Sequence, residues 1–332
     1  MQIVFLNTFE KPGEEHQFVS AQLSISENQG VWSVIWVEDE ENNADPQSWF
    51  EGTSWEEMMI VFRHGVARVM GEGYVPIIDG MLDDRRGSIS SFVSMLQCYG
   101  ELHANEELFQ KLREWRRSRA ILEKRSAYLI ATNRILWMIS AFVPKTEDEL
   151  TQIPGWGSTK HASYGQEMLA ITSEAERTSA FPLQWVEEKL DAEAYTQWLY
   201  KQKEVKFKAQ MDRHAAKKHI LLTVQQGGTL EQLGVELELS RRELMDRIEQ
   251  LEQEGYDFEP LIVRELIEVP EDEQQLVWEA LTTVGDKYLK PVLQQVYGTL
   301  EPAQLNKPVD VLYERLRLIR LRFRRNITGK AV

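Results

Sequence analysis

The apolar rhythm of the chain changes once, and that change limits what it can fold into. Up to about residue 50, short runs such as MQIVFL, QFVSAQLSI and VWSVIWV alternate apolar and polar positions, with KPGEE, ENQG and DEENNADP between them. A period of two puts successive side chains on opposite faces of a strand, so these runs predict three short strands in an antiparallel meander. Trp32, Val34 and Trp36 then share one sheet face, either as core beneath a helix or as a platform for unpaired bases. From TSWEEMMIVFRHGVARVMGEGY onward the period is helical. Ser54 with Glu57 is a capping pair and Gly73 a stop, which gives one amphipathic helix able to cover the meander. The expected class is α+β: mainly helical, with a small N-terminal antiparallel sheet plus helix, a central helical bundle and a C-terminal helix-turn-helix region.

Helical signals recur to the end of the chain. One helix is expected from Glu106 to Lys124, one from Asn133 to Phe142, one capped by Thr146 with Glu149, and one after Gly157. The caps, stripes and turn glycines of 105–173 agree with one another, so this segment reads as a bundle that folds unaided. Further on, Gly227 and Gly228 end a helix, Thr229 with Gln232 caps the next and Ser240 with Glu243 the third, which is helix-turn-helix spacing. In VLYERLRLIRLRFRR, Leu312, Leu316, Ile319 and Phe323 form a core-facing stripe. Its arginines are expected on the outer side, meeting phosphate, an anionic membrane surface, or the acidic N-terminal region of the same chain or another copy.

Charge is unevenly placed. The 332 residues carry a formal charge of −15, which by itself discourages polyanion binding. Residues 1–105 hold 5 Lys and Arg against 17 Asp and Glu, whereas Lys111 to Arg125 holds 7 against 2 and 311–332 holds 7 against 1. Two basic islands therefore stand on an acidic chain.

Between two helical runs lies IPGWGSTK, 153–160. Gly155 and Gly157 either make a tight turn or open the backbone at a helix start, where unpaired amides and the helix dipole favour a phosphate. Residues 112–171, with a basic first helix, AYLIATNRIL, VPKTEDEL and then IPGWGSTKHASYG, resemble the HRDC domain, named for helicase and ribonuclease D C-terminal. The resemblance implies a compact helical bundle that binds or positions nucleic acid and is not itself a catalyst. Gly155, Gly157 and Lys160 match its motif; Trp156 replaces a small aliphatic residue, for extra packing or as a stacking platform. LLTVQQGGTLEQLGVELELSRRELMDRIEQL and the helices behind it resemble the helix-turn-helix region at the C-terminus of RecQ-type helicases. In that family the helix after the turn lies in or beside a duplex groove. Here it carries five acids, leaving Arg241 and Arg242 at its start for phosphate.

No engine accompanies these modules. GxxxxGK[ST] is missing, and TGKAV at 328 lacks the loop that cradles phosphates. DEENNAD at 39–45 reads as a turn rather than a metal site. Neither His214 with His219, five apart, nor any other histidine pair has ligand spacing. The single Cys98 forms no internal disulfide or zinc cluster, no run reaches membrane-spanning length, and the N-terminus lacks a signal-peptide pattern.

The expected organisation is an α+β domain (1–82), a connector with partial helical character (83–104), the HRDC-like bundle (105–173), a helical linker (174–212), a helix-turn-helix or winged-helix-like domain (213–326) and a tail (327–332). The function expected is that of a non-catalytic, cytoplasmic accessory protein without cofactor or metal, binding nucleic acid through its phosphates. The expected contacts are Arg116, Arg117, Arg119, Lys124, Arg125, Gly155, Trp156, Gly157, Ser158, Thr159, Lys160, Arg241 and Arg242. The alternative is an adaptor that docks to a helicase, nuclease or other DNA-processing partner.

Overall fold

The computed structural model describes residues 1–13, 18–39, 46–82, 91–298 and 308–328. Residues 40–45 of the DEENNAD segment, 83–90 of the expected connector and the 329–332 end of TGKAV lie outside them. The chain divides into two compact units, Met1–Met211 and Asp212–Val332. The class is α+β, with one N-terminal antiparallel sheet and helices throughout the rest. No described helix is long and apolar enough to cross a membrane.

The sheet has five strands rather than three: β1 (Gln2–Pro12), β2 (Phe18–Asn28), β3 (Val31–Asp39), β4 (Gln47–Gly52) and β5 (Val75–Pro76), in the order β4-β3-β2-β1-β5. Two of the strands eluded the alternation rule because they barely alternate: β4 is six residues with a register shift opposite it, and β5 is two residues ending in proline. Phe9 pairs with Ala21, Leu23 with Trp36 and Ile25 with Val34, and all six are buried on one face. Helix α1 (Trp55–Gly71), capped by Ser54 through the Glu57 amide, covers that face with Met58, Phe62 and Val66. Trp36 and Val34 are therefore core, and Trp36 stacks on Trp49 at 5.3 Å. A Cβ at Gly65 of α1 would sit 2.3 Å from the Trp49 ring, so only glycine lets the helix come this close.

The rest of the first unit is a helical bundle: α2 (Ser91–Leu102), α3 (Glu106–Glu123), α4 (Ala127–Ile130), α5 (Asn133–Phe142), α6 (Glu147–Thr151), α7 (Ser158–Ser173), α8 (Val186–Lys189) and the first part of α9 (Ala192–Gln225). Asn105, Thr132 and Thr146 cap α3, α5 and α6 with side-chain oxygens. The bundle's core extends past residues 105–173 at both ends. Leu96 of α2 and Leu183 and Val186 beyond α7 are buried in the same cluster as Leu112, Leu136 and Phe142. Tyr99 stacks on Phe142 at 5.4 Å, and a Cβ at Gly100 would lie 2.7 Å from Met138 Cγ. The described part of the expected connector is thus a structural helix of the bundle.

The second unit contains the end of α9, then α10 (Leu230–Glu236), α11 (Arg241–Gln253), α12 (Glu259–Glu265), α13 (Glu271–Val284), α14 (Leu289–Tyr297) and α15 (Val309–Thr328). Ser240 and Glu243 form a complete capping box at α11. No strand, and so no wing, occurs among its described residues. Leu312, Leu316, Ile319 and Phe323 are buried as the stripe predicts, and so are Leu318 and Leu321. Helix α15 is therefore enclosed on more than one side, which changes the fate of its arginines. Arg315 bonds to Glu273, Arg317 and Arg320 to Glu249, Arg322 to Glu259 and Arg325 to Glu252. The side chains of Arg315, Arg317 and Arg320 are only 14, 14 and 11% exposed. They face acids of their own unit rather than lining an outer surface.

Candidate nucleic-acid interface

Side-chain ties fix the directions of the helices around the site. Phe109 of α3 stacks on Trp137 of α5 at 5.7 Å, and Arg116 Nη1 donates to the Ala131 carbonyl at 2.9 Å. Trp115 Nε1 donates to Glu167 of α7 at 2.7 Å, and the Tyr164 hydroxyl donates to Glu123 at 2.8 Å. As α3 advances its partners on α5 and α7 recede, so both run antiparallel to it. The C-terminal end of α3 therefore lies beside the first turns of α7, and its middle beside Ala131, just ahead of α5. The N-terminal poles of α5 and α7 are positive, and Arg134 and Lys160 beside them line one groove; Lys124 and Arg125 follow the C-terminal end of α3.

The expected contacts divide into ties and free groups. Arg119 is bound to Glu167, and Arg116 is half-buried against Ala131, with burial first and the Arg113 charge second lowering its pKa. Both staple the bundle, because they lie on the inner side of α3 with Leu112 and Trp115. Arg117 and Lys124 are exposed and have no ion-pair partner among the described residues. With Arg113 and Ile121 they form one outward stripe at helical spacing. Arg125 is exposed and lies 3.7 Å from Glu123.

At the turn, Gly155 has φ +87°, and a Cβ there would come within 3.1 Å of Ile135. That glycine is required. Gly157 has φ −80° and open space where a Cβ would go, yet it is the N-cap of α7 and supplies no side-chain hydrogen bond. Ser158 and Thr159 are exposed on the uncapped first turn, and Lys160 has no ion-pair partner among the described residues. Trp156 is 2% exposed, with its indole N–H unpaired among the described residues. It packs in the core and offers no face to a base. Arg241 and Arg242 start α11 in the second unit. Arg241 is held by Glu314 at 2.8 Å and lies 3.5 Å from Glu265, while Arg242 is exposed. The acids of α11 are explained in the same way: Asp246, Glu249 and Glu252 hold α15.

Four residues with no place in the sequence argument stand out beside the basic stripe. Ile121, Leu122, Tyr128 and Leu129 are 74, 70, 67 and 53% exposed. Ile121 and Leu122 fall off the buried stripe of Leu108 and Leu112, a signal that a helical projection contains. The exposure of Tyr128 and Leu129 is unreadable in sequence, because AYLI looks like the start of the next helix rather than a separate turn of its own. Among the described residues no three His, Cys, Asp or Glu side chains converge as metal ligands.

The family profile of the HRDC domain matches residues 105–172. No curated protein and no solved structure matches the chain. HRDC domains are non-catalytic modules of helicases and ribonuclease D proteins that bind nucleic acid or partner proteins. The match runs from the Asn105 cap of α3 to the last turn of α7, and this stretch of the chain is an HRDC domain.

Proposed function

We propose that the protein is a non-catalytic cytoplasmic accessory factor that grips the phosphate backbone of nucleic acid with the basic end of its HRDC bundle. One observation carries this reading. Arg117 and Lys124 on the outward stripe of α3 and Lys160 on the first turn of α7 are unpaired among the described residues, whereas the arginines of α15 are tied to acids. Cations left unpaired on a chain of net charge −15 fit an external anion. Tyr128 and Leu129 beside them suit unstacked bases, so a single strand or a fork fits better than an intact duplex. The test is titration with single-stranded, duplex and forked DNA and RNA at two salt concentrations. Reversing Arg117, Lys124 and Lys160 to glutamate should weaken binding to every sequence alike and flatten the salt dependence by roughly one unit of slope per lost contact. Unchanged affinity and slope would remove this surface from the function.

The exposed apolar pair Ile121 and Leu122 favours a second reading, in which the same end docks a helicase or nuclease. Loss of partner capture on changing both to serine, with nucleic-acid binding intact, would select it.

A further inference from the structure

A groove of about 790 Å³ opens beside the basic end of the bundle. Its apolar part is made by Val93 of α2, Ile135, Trp137 and Met138 of α5, and Pro154 of the turn. Its polar part holds Arg134, Lys160, Glu101 and the carboxamides of Gln97, Asn133 and Gln202. The α2 contribution, Val93, Gln97 and Glu101, is one helical stripe at i, i+4 and i+8. Size, an apolar lining and a few convergent polar groups are the attributes of a small-molecule site.

The charges select what fits. Arg134 donates one hydrogen bond, from Nη2 to Gln202 Oε1 at 2.7 Å, which orients the guanidinium and leaves its other donors open. Lys160 has no ion-pair partner among the described residues. Two cations match the nearly two negative charges of a phosphate monoester better than the single charge of a diester. The Glu101 carboxylate, held by Trp198 Nε1 at 2.9 Å, is in the same lining. It opposes a phosphate on the α2 side of the groove and accepts hydrogen bonds there from a sugar hydroxyl or a base amino group. One phosphate with one nucleoside is favoured over a strand running through.

We propose that this groove seats the phosphorylated terminal nucleotide of a nucleic-acid strand: phosphate on Arg134 and Lys160, nucleoside against the partly exposed Val93, Trp137 and Pro154. The proposal rests on the nucleic-acid reading above and adds a preference for strand ends.

The experiment uses the full chain and a short single strand with a dye at one end and either phosphate or hydroxyl at the other, in both polarities, with free AMP as a separate ligand. One phosphorylated polarity is expected to bind about fivefold tighter than its hydroxyl counterpart. Arg134→Gln with Lys160→Gln should remove that advantage, while Arg117→Glu with Lys124→Glu should weaken both strands and keep their ratio. Circular dichroism identifies any variant that fails to fold, and wild type alone gives the decisive ratio. Equal affinity for phosphate and hydroxyl ends, with binding otherwise clear, overturns the strand-end site and leaves the nucleic-acid reading standing. Binding of AMP with no binding of any strand overturns both and leaves a free-nucleotide site.

Discussion

Gly157 and Lys124 occupy helix ends where neither is the best residue for stability. An N-cap favours Asp, Asn or Ser, and the left-handed position after a helix favours Gly; here Gly caps α7, and Lys124 closes α3 at φ 51°. Positive φ alone is no signal, because Val143 and Glu238 share it. The pair matters because Lys124 is itself an unpaired cation among the described residues and Gly157 opens the helix that carries Lys160, another. A Cβ at Gly157 meets no atom within 4 Å, and Gly157→Asp should stabilise the fold by about 0.5 kcal/mol by capping α7. The same carboxylate would compete with phosphate and weaken nucleic-acid binding about tenfold. Thermal melting and a binding titration on one variant separate the two effects, and a gain in stability without loss of affinity would exclude the α7 start as a contact. Gly155→Ala should instead cost about 1–2 kcal/mol, since it forces a side chain into a left-handed conformation against Ile135.

At the level of elements, the isolated segment 105–173 is not expected to reach its full stability. Without α2 and the stretch around Leu183 and Val186, Met138 and Phe142 lose their cover. A fragment 91–190 should melt cooperatively at a higher temperature than 105–173 and bind less of a hydrophobic dye; equal melting temperatures would show that the flanking helices contribute nothing. The caps of α1, α6, α10 and α11 were legible in sequence because capping is local: one side-chain oxygen, one amide, three residues apart. Helix α2 was legible only as partial helical character in a connector, because its place in the bundle depends on Gly100 against Met138, a contact across 38 positions. The same limit governs the site. Seven basic residues in Lys111–Arg125 are visible in sequence, but which are ties and which are free depends on Glu167 and Ala131, brought near only by packing. Reversing Arg116 and Arg119 would therefore loosen the bundle before it reported on phosphate.

Over the whole molecule, the basic islands are put to different uses, and pH distinguishes them. In the second unit the arginines of α15 neutralise acids of α11, α12 and α13, with Glu249 between Arg317 and Arg320 at 2.8 Å each. Burial pushes the Glu249 carboxyl up, but the hydrogen bonds and charges of the two arginines outweigh it and hold its pKa below the usual carboxylate value. The Arg324 hydrogen bond does the same for Asp286 against a smaller effect of burial. A carboxyl whose pKa is lower folded than unfolded stabilises the fold fully above its unfolded pKa, and that stability is lost as pH falls through the folded value. The second unit should thus hold its melting temperature down to about pH 5 and lose it progressively below about pH 4. Glu249→Gln removes the charge but leaves two largely buried guanidinium groups facing it, at a cost of about 3 kcal/mol near neutral pH. Its melting temperature should then vary less with pH, because one of the titrating groups is gone. Calorimetry of wild type and variant from pH 7 to pH 3 tests both halves, and a variant with unchanged stability at neutral pH would mean that α15 is held by its apolar stripe alone.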